Sequence, residues 1–401
     1  MKHRFGMFIH WGIYAQTGWH EQYALRTKLP RAEYSRLAST FNPVDYDPDE
    51  WVKMAKAAGM EYICFTAKHH DGFCMWDTKY TDFNIMNTPY GKDVLKMLAD
   101  ACERHGMSLS IYYSNPDSHH PNGYNELSSH QVPPEEGDVP DNLLYREYVK
   151  NQIRELMTNY GRIYTLFWDI PPQIEDESLN DLVRELQPGI MINDRGYGKG
   201  DFSTPERHVP DGEKFTSETE ACQSVGQQSW AYRSNEDYYT PKFIMQSMDK
   251  IMLMGGSYLL NVGPDARGRI PERSRRSLEI VGKWYNSVRE SFDCETVPAN
   301  DLFTKKPGGM FALRSGNTIY LHFTKDPEAC GLNLYPFDKL PTSARLLNCG
   351  FDRELECELC MLPTNYPNSV LAPPVLHVKD VPFDELYGEV PVLKLEFDSL
   401  E

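Results

Sequence analysis

The chain has 401 residues, of which 40% are hydrophobic and 12% aromatic; this supports a large buried core and excludes a disordered protein. Its formal net charge of -17 and the lack of a basic stripe disfavour nucleic acid and anionic membranes as partners. Nine scattered cysteines indicate buried thiols in a reducing compartment. With no apolar run long enough to span a bilayer and no signal-peptide pattern, we expect a cytoplasmic protein.

Short apolar runs alternate with helical patterns over most of the chain. The strand-like runs are FGMFIHWG, YICFTA, SLSIYYS, IYTLFWDI, IMINDR and SYLLNVG. The helical patterns are YDPDEWVKMAKAAGM, KDVLKMLADACERHGM, NLLYREYVKNQIRELMTNYG, SLNDLVRELQP, YTPKFIMQSMDKIMLMG and PERSRRSLEIVGKWYNSVRESF. In the first of these, Asp47 is placed to cap the helix and Gly59 to end it. The series predicts a (β/α)8-like barrel, regular or irregular, over residues 1–297, with helices outside.

From about residue 298 the sequence becomes strand-like and rich in turns, without a helix of any length. This pattern predicts a C-terminal β-sandwich domain over residues 298–401. It contains one CxxC, formed by Cys357 and Cys360, which is a weak indication of a metal or redox site because no second pair accompanies it. In the barrel part, the polar, proline-bearing stretch from Ser118 to Asn142 predicts a long loop that shapes the site.

Polar side chains follow five of the predicted strands at their C-terminal ends. They are His10 with Trp11; His69, His70 and Asp71; Tyr112, Tyr113 and Ser114; Trp168 with Asp169; and Asn193, Asp194 and Arg195. In parallel α/β architectures the strand-to-helix loops converge at that end, and ligands bind there. One polar residue at a strand end is usually a cap or a turn former. Five such strand ends indicate a shared site.

Asp169 directly follows an apolar strand, where a carboxylate is partly desolvated and needs a partner or a purpose. It could cap the next helix, but the segment IPPQIEDES delays that helix. A nucleophilic aspartate, with histidines and an arginine to bind sugar hydroxyls, fits glycoside hydrolysis, which requires two carboxyl groups. Aromatic residues would supply apolar faces for the sugar.

Metal binding is the competing interpretation of the segment KHHD. Adjacent residues on an extended segment point in opposite directions, so we expect His69 and His70 not to face one ion. No helical His-x-x-x-His and no repeated carboxylate motif accompanies them. We therefore expect two neutral histidines that hydrogen-bond to sugar hydroxyls, and no metal.

Several blocks in chain order together resemble the α-L-fucosidases of glycoside hydrolase family 29. The blocks are RFGMFIHWGIYAQTGWHEQY, TAKHHDGFCMWDTKYTDFNIMNTPYGKDVL, IYYS, LFWD, INDRG, DFSTPERH, SWAYR and YLLNVGPDARGRIPE, and the closing PVLKLEF resembles the last strand of that family's C-terminal β-sandwich. The resemblance implies a barrel exo-enzyme that removes terminal α-L-fucose from fucosylated oligosaccharides or glycoconjugates. It also implies retention through a covalent fucosyl-enzyme intermediate, without metal or cofactor.

The resemblance implies a role for each matching residue. Asp169 matches the family's nucleophile. The fucose-binding positions fall on His10, His69, His70, Tyr112 or Tyr113, and Arg195. The acid/base is best matched by Glu206, with Glu218 as the alternative, although Ser217 stands where many members have a tryptophan.

Other positions carry weaker implications. Glu21 and Tyr23 match the family's Glu-Trp-Tyr, in which Gln22 replaces the tryptophan. The apolar side chains that could hold the methyl group of fucose are Phe8, Trp19 and Phe167, and ordinary core packing explains them equally well. Two other functions stay open. An exo-glycosidase for a related sugar would keep both carboxylates, whereas a non-catalytic glycan-binding protein would have lost one.

Overall fold

The computed structural model describes residues 1–210, 212, 214–304, 306–351, 353–363 and 370–400. Internal contacts divide the chain into two units. The first comprises Met1–Asp211, Phe215–Tyr239 and Gly255–Leu278, and the second comprises Gly212–Lys214, Thr240–Met254 and Glu279–Glu401. The predicted domain boundary between residues 297 and 298 falls inside a two-residue strand, Val297–Pro298, and stays a prediction.

A curled sheet of seven parallel strands forms the centre of the first unit. The strands are β1 Phe5–Ile9, β2 Tyr62–Lys68, β3 Ser108–Ser114, β4 Ile163–Asp169, β5 Met191–Ile192, β6 Glu220–Ser224 and β7 Ser257–Val262. Their order across the sheet is β5-β4-β3-β2-β1-β7-β6. Because every neighbouring pair is parallel, all C-terminal ends lie at one edge. This topology confirms the predicted barrel-like α/β fold.

An extended segment takes the place of an eighth strand between β5 and β6. Phe202 pairs with Asn193 just after β5, while Ser203 pairs with Thr219 and Glu206 pairs with Cys222 in β6. All of these pairs are parallel. Glu206 is therefore carried toward the same edge of the sheet as the ends of β4 and β5.

The sequence does not predict β6. Its residues, EACQS, include no aromatic or β-branched side chain, so the usual strand pattern is missing. Inside the barrel, Glu220 bonds to Tyr62 and Ser224 bonds to Asn261. The strand lacks an apolar pattern because two of its inward side chains, Glu220 and Ser224, bond to other polar groups, and only Cys222 between them joins the apolar cluster inside the barrel.

The described residues form nine α-helices. They are α1 Tyr23–Thr27, α2 Arg31–Tyr34, α3 Pro48–Ala57, α4 Val94–His105, α5 Asn142–Asn159, α6 Glu177–Leu186, α7 Pro241–Leu253, α8 Glu272–Val288 and α9 Glu290–Asp293. Asp47 caps α3 as predicted, by accepting from the Glu50 amide at 3.1 Å. Asp176 caps α6, so Asp169 is not a helix cap. None of the helices described here combines the length and the apolar character that crossing a bilayer requires.

Two antiparallel sheets make up the C-terminal part of the chain. Their strands are β8 Val297–Pro298, β9 Met310–Ser315, β10 Thr318–Phe323, β11 Leu332–Leu334, β12 Ser343–Leu346, β13 Cys357–Pro363, β14 Val370–Val378 and β15 Val392–Glu396. One sheet has the order β12-β15-β10-β9-β8 and the other β11-β14-β13. A single apolar cluster contains Leu321 and Leu393 from the first sheet and Leu334 and Leu376 from the second. Two sheets that share one core are the arrangement expected of a sandwich.

Cys357 and Cys360 do not act as a CxxC pair. Positions three residues apart on β13 present their side chains on opposite faces, and both thiols are free. Cys360 instead lies with Glu358 and His377, their ligand atoms all within 4.8 Å of one another. The Glu358 carboxylate is already paired with Lys379 at 2.9 Å. This group belongs to the second unit, whereas the strand-end residues of the barrel belong to the first.

Glu220 is a fully buried carboxyl group inside the barrel. One of its oxygens accepts a hydrogen bond from Tyr62, and the other has no partner among the described residues. Burial raises the pKa of Glu220 from 4.5 to about 7. A carboxyl group whose pKa is higher in the folded protein than in the unfolded chain favours folding while it is protonated. Its contribution to stability is complete at any pH below the pKa of the unfolded chain. That stabilisation is lost as the pH rises to the folded value.

We expect the Glu220→Gln variant to gain stability relative to the parent protein as the pH is raised. Between pH 4 and pH 8 the difference in unfolding free energy should move in favour of the variant by roughly 3 kcal/mol, because the amide has no proton to lose. Urea unfolding at both pH values measures this change. Glu103→Gln, an exposed substitution on α4, is the matched control and should show no such trend. A pH-independent difference for Glu220→Gln would contradict the linkage.

Candidate active site

The C-terminal edge of the parallel sheet gathers most of the residues that the sequence singled out. Asp169 is the last residue of β4, and its carboxylate is the centre of the group. Tyr112 donates its hydroxyl to Oδ2 at 2.6 Å, and Nη1 of Arg195 donates to Oδ1 at 3.1 Å. Nε2 of His70 lies 3.7 Å from Oδ2. Side chains at or just after the C-terminal ends of three other strands, β2, β3 and β5, therefore converge on a single carboxylate.

These contacts keep Asp169 ionised. Burial by itself would raise the pKa of Asp169, but His70, Arg195 and the hydrogen bond from Tyr112 together hold it below its ordinary value. Of these, Arg195 carries a permanent charge, so we take it as the principal cause. A buried, ionised carboxylate with fixed orientation is what a nucleophile requires.

Arg195 also connects Asp169 to a second carboxylate. Its Nη1 donates to Oε2 of Glu206 at 3.0 Å while it donates to Oδ1 of Asp169. Because both oxygens bond to the same nitrogen, they are separated by no more than the sum of the two distances, about 6.1 Å. The Asp169 side chain is 14% exposed and that of Glu206 is 41% exposed, so one carboxylate lies deep and the other faces the mouth.

Glu218 lies elsewhere. It precedes the first residue of β6 by two positions, at the N-terminal end of that strand. Its carboxylate pairs with the amino group of Met1, and its side chain is 55% exposed. The structure therefore brings Glu206, and not Glu218, next to Asp169.

The three sequence-predicted histidines line the same site. Nδ1 of His10 lies 2.6 Å from Oδ1 of Asn261, at the end of β7. The His69 ring stacks on Tyr112 with 5.6 Å between ring centres and 7° between ring planes. The His69 and His70 rings are only 4.1 Å apart, so the expectation that they point in opposite directions is wrong. Both follow the last residue of β2, where a turn replaces the extended backbone.

Burial determines the charge of these rings. It lowers the pKa of His10, lowers that of His69 strongly, and lowers that of His70 to about 4. The histidines are therefore neutral near pH 7, as predicted. Nδ1 of His69 is buried and has no hydrogen-bond partner among the described residues.

The rest of the HHDG segment fixes this turn. Asp71 accepts hydrogen bonds from the Tyr34 hydroxyl at 2.7 Å and from the Phe73 amide at 3.1 Å. Gly72 has φ +83°, and any Cβ there would overlap the side chain of Asp117. Only glycine satisfies both conditions. The sequence HHDG therefore encodes two site histidines and the turn that positions them.

Some predicted residues lie outside the site or beneath it. Tyr113 points away from Tyr112, donates its hydroxyl to Gln152, and therefore does not contact Asp169. Phe8 and Phe167 pack together in the apolar cluster inside the barrel, with 5.3 Å between ring centres. They form the floor of the site.

The loop after β1 carries the remaining predicted residues. The buried Glu21 carboxylate accepts hydrogen bonds from the Ser229 hydroxyl and from the amides of Trp230 and Ala231, so it joins this loop to the loop after β6. The half-buried Trp19 ring packs against His20 and Tyr23. The Gln22 side chain accepts from Arg26 and does not reach Asp169.

Sequence reasoning missed three residues that contact this group. The Trp230 ring stacks on His10 with 5.3 Å between ring centres, and the His130 ring lies 5.7 Å from that of His70. Asn261 orients His10. Asn261 follows the rule used for the other strands, a polar residue at a strand end, and could have been found from it. Trp230 and His130 lie on loops, where no periodic pattern indicates a site.

A left-handed residue follows each of the two carboxylates. Ile170 has φ +59° and Arg207 has φ +52°. In this conformation the Ile170 amide donates to Oδ1 of Asp169 at 3.1 Å, and the Ile170 carbonyl accepts from Asn115 at 2.6 Å. A β-branched residue in this region is strained by about 1–2 kcal/mol.

We expect the Ile170→Asn variant to be more stable than the parent by about 1 kcal/mol, because asparagine tolerates the left-handed region far better than isoleucine. Thermal and urea unfolding measure this gain. Ile170→Val keeps the β-branch and should gain nothing. A loss of stability in the asparagine variant would mean that the packing of the isoleucine side chain outweighs the backbone strain.

Comparison with known proteins gives a consistent set of matches. The family model described as alpha-L-fucosidase matches residues 1–290. Tissue alpha-L-fucosidase from Rattus norvegicus is 24% identical over 405 residues, covering 88% of this chain and 81% of the rat protein. Alpha-L-fucosidase isoenzyme 1 from Paenibacillus thiaminolyticus superposes with a TM-score of 0.86 and 32% identity, covering 99% of this chain and 97% of that one.

A further similar structure is an alpha-L-fucosidase of glycoside hydrolase family 29 from Bacteroides thetaiotaomicron. It was solved as a trapped covalent intermediate in complex with 2-fluoro-fucosyl fluoride. It superposes with a TM-score of 0.77 and 26% identity, covering 98% of this chain and 94% of that one.

Proposed function

We propose, from the premise that this chain belongs to the alpha-L-fucosidase family of glycoside hydrolases, that it is a retaining exo-α-L-fucosidase. Its substrates would be fucosylated oligosaccharides or glycoconjugates with terminal α-L-fucose. The trapped covalent intermediate of the Bacteroides relative supports a covalent route. We assign the nucleophile to Asp169 and the acid/base to Glu206.

The bridge made by Arg195 is the observation that carries this proposal. It limits the distance between the bonded oxygens of Asp169 and Glu206 to about 6.1 Å. Retaining glycosidases place their two carboxyl groups about 5–5.5 Å apart, whereas inverting enzymes need about 6.5–9.5 Å to admit a water between them. The two bonded oxygens are closer together than the carboxyl groups of an inverting enzyme, which supports retention.

The proposed mechanism has two displacements. Ionised Asp169 attacks the anomeric carbon while protonated Glu206 gives its proton to the leaving oxygen, so one C–O bond forms as the other breaks. Glu206, now a carboxylate, then takes a proton from a water molecule that attacks the fucosyl-Asp169 ester. This second step releases α-L-fucose and restores both groups.

The remaining site residues would bind the sugar. Nδ1 of His10 and Nδ1 of His70 are bonded to Asn261 and Ser114, so each of these rings would offer Nε2 to a fucose hydroxyl. Neutral His69 would add a further ring to the same sugar-binding group. The apolar floor of Phe8 and Phe167 suits the methyl group of this deoxy sugar. No step requires a metal or another cofactor. The cytoplasmic location remains a prediction.

The purified protein should hydrolyse 4-nitrophenyl α-L-fucoside and remain active in EDTA. The α anomer of fucose should be the first product in the NMR spectrum, because two displacements restore the configuration. The matched control substrate is the α-L-galactoside, which differs by one hydroxyl on C6 and should be hydrolysed more slowly. A β anomer as first product would mean inversion. Loss of activity on chelation would contradict the metal-free mechanism, and preference for the galactoside would indicate another sugar.

A further inference from the structure

Three arginines without an ion-pair partner surround His20 at the mouth of the candidate site. They are Arg26 on α1, Arg207 next to Glu206, and Arg233 on the loop after β6. None has a carboxylate within 4.0 Å among the residues that the structure describes. All three contact the segment around His20 or a residue bonded to it. Arg233 donates to the Trp19 carbonyl and Arg26 to the Gln22 side chain. Arg207 packs on the Trp230 ring, and the Trp230 amide donates to Glu21. In a chain of net charge -17, such a concentration of unpaired positive charge is unusual.

The hydrogen bonds of these arginines go to neutral groups. Arg207 donates to the carbonyls of Gly226 and Gln227 at 3.1 and 3.0 Å. Arg233 donates to the carbonyls of Asn235 and Trp19, each at 3.3 Å, and Arg26 donates to the Gln22 side chain at 3.3 Å. Every one of these acceptors is neutral. A guanidinium has five N–H donors, so each side chain keeps donors for a ligand.

The nearby carboxylates are already occupied. Glu21 is held by Ser229 and by two backbone amides. Glu206 bonds to Arg195, and Glu236 accepts from the backbone amides of Gln228 and Ser229 at 2.8 and 3.2 Å. The arginine group therefore has no acidic partner of its own in the described part of the chain.

Arg207 connects the arginine group to the proposed acid/base. Arg207 directly follows Glu206 in the chain, and its guanidinium lies 4.3 Å from the centre of the Trp230 ring, which holds it in place. Arg233 lies 5.9 Å from the Trp19 ring. In a retaining glycosidase the acid contacts the leaving oxygen, so the leaving group lies on the side of Glu206. Arg207 adjoins the proposed acid/base and is thus placed to meet the leaving group.

We propose that Arg26, Arg207 and Arg233 form an anion subsite for the leaving group. The preferred substrates are then fucosides whose leaving group carries a sulfate ester or a carboxylate. The planar guanidinium fork matches the oxygens of both anions. This inference rests on the proposed fucoside hydrolysis and names the class of its substrate.

The experiment compares three fucosylated oligosaccharides of identical linkage, in which the leaving group is neutral, sulfated or carboxylated. The quantity measured is kcat/KM for each anionic substrate divided by kcat/KM for the neutral one. At about 20 mM NaCl this ratio should be on the order of ten, and at about 500 mM NaCl most of the preference should be lost to screening. A preference for only one of the two anions supports the subsite and identifies its ligand.

Single substitutions assign the preference to the subsite. Arg26→Gln and Arg233→Gln should each lower the ratio severalfold. Arg162→Gln is the matched control. Arg162 is exposed, has no ion pair among the described residues, and lies just before β4, at the opposite end of that strand from Asp169. Its substitution should leave the ratio unchanged. Arg26 is exposed, so its variant should fold normally, which thermal unfolding checks.

Two outcomes would overturn the inference. One is equal kcat/KM for neutral and anionic substrates, and the other is an anion preference that Arg162→Gln lowers as much as the subsite variants do. A protein that hydrolyses the aryl α-L-fucoside but shows either outcome keeps its proposed function and loses only the subsite. Failure to hydrolyse any fucoside would instead refute the proposed function itself.

Discussion

Replacing Asp169 with alanine should lower kcat for 4-nitrophenyl α-L-fucoside by on the order of 10³-fold or more. In the proposed mechanism this carboxylate forms the covalent bond, and the histidines and Arg195 cannot substitute for it. Asp169→Asn preserves the size of the side chain and should lose nearly as much. KM should change less than kcat, because the sugar-binding side chains remain.

Azide identifies the missing group as a nucleophile. In Asp169→Ala a small anion can enter the vacated space and attack the anomeric carbon directly, so the product should be β-L-fucosyl azide, with inverted configuration. Asp194→Asn, an exposed carboxylate in the turn after the neighbouring β5, is the matched control and should keep its activity. Thermal unfolding should show that all variants fold. Near-normal turnover by Asp169→Asn would mean that another carboxylate is the nucleophile.

Local signals account for most of what the sequence predicted. The aspartate before α3 is both a cap and the start of an apolar helical pattern, so its role depends only on neighbouring residues. The same holds for the apolar run that becomes β4 and ends at Asp169. Given a parallel sheet, all strand ends meet at one edge. This is why the sequence alone could place His10, Tyr112 and Asp169 together.

Non-local pairing explains what the sequence could not provide. β6 has no strand pattern because two of its inward residues bond to polar groups on other strands. The sequence favoured Glu206 over Glu218 only through the family resemblance, since each lies in a polar stretch. Only the pairing of Ser203 with Thr219, and of Glu206 with Cys222, carries one glutamate to Arg195 and leaves the other at the far end of β6. That pairing depends on the whole barrel.

The two histidines of HHDG show a different limit. The expectation that His69 and His70 diverge assumed that the strand continues through them. β2 ends at Lys68, one residue before His69, and the turn that follows brings both histidine rings to the same side. An error of one or two residues in a strand end therefore reverses a conclusion about which side chains meet.

Glu206 and Glu218 can be distinguished as candidates for the acid/base, because loss of a general acid affects different leaving groups to different extents. A nitrophenolate leaves with little protonation, whereas a sugar alkoxide must be protonated as it departs. Glu206→Ala should therefore lower kcat/KM on a fucosylated oligosaccharide by about 10²-fold or more, and much less on the nitrophenyl fucoside. Glu218→Ala should change neither strongly, because its carboxylate is exposed and lies at the opposite end of β6.

Azide gives this pair of variants a second, independent readout. In Glu206→Ala the fucosyl-Asp169 ester forms from the activated substrate, but no base is left to activate water. Azide needs no base, so it should attack the ester, restore turnover in part, and give α-L-fucosyl azide with retained configuration. This product is the opposite anomer to that expected from Asp169→Ala, so the two roles cannot be confused. If Glu218→Ala carried both the leaving-group dependence and the azide rescue, Glu218 would be the acid/base. The arginine bridge between Asp169 and Glu206 would then be a structural contact only.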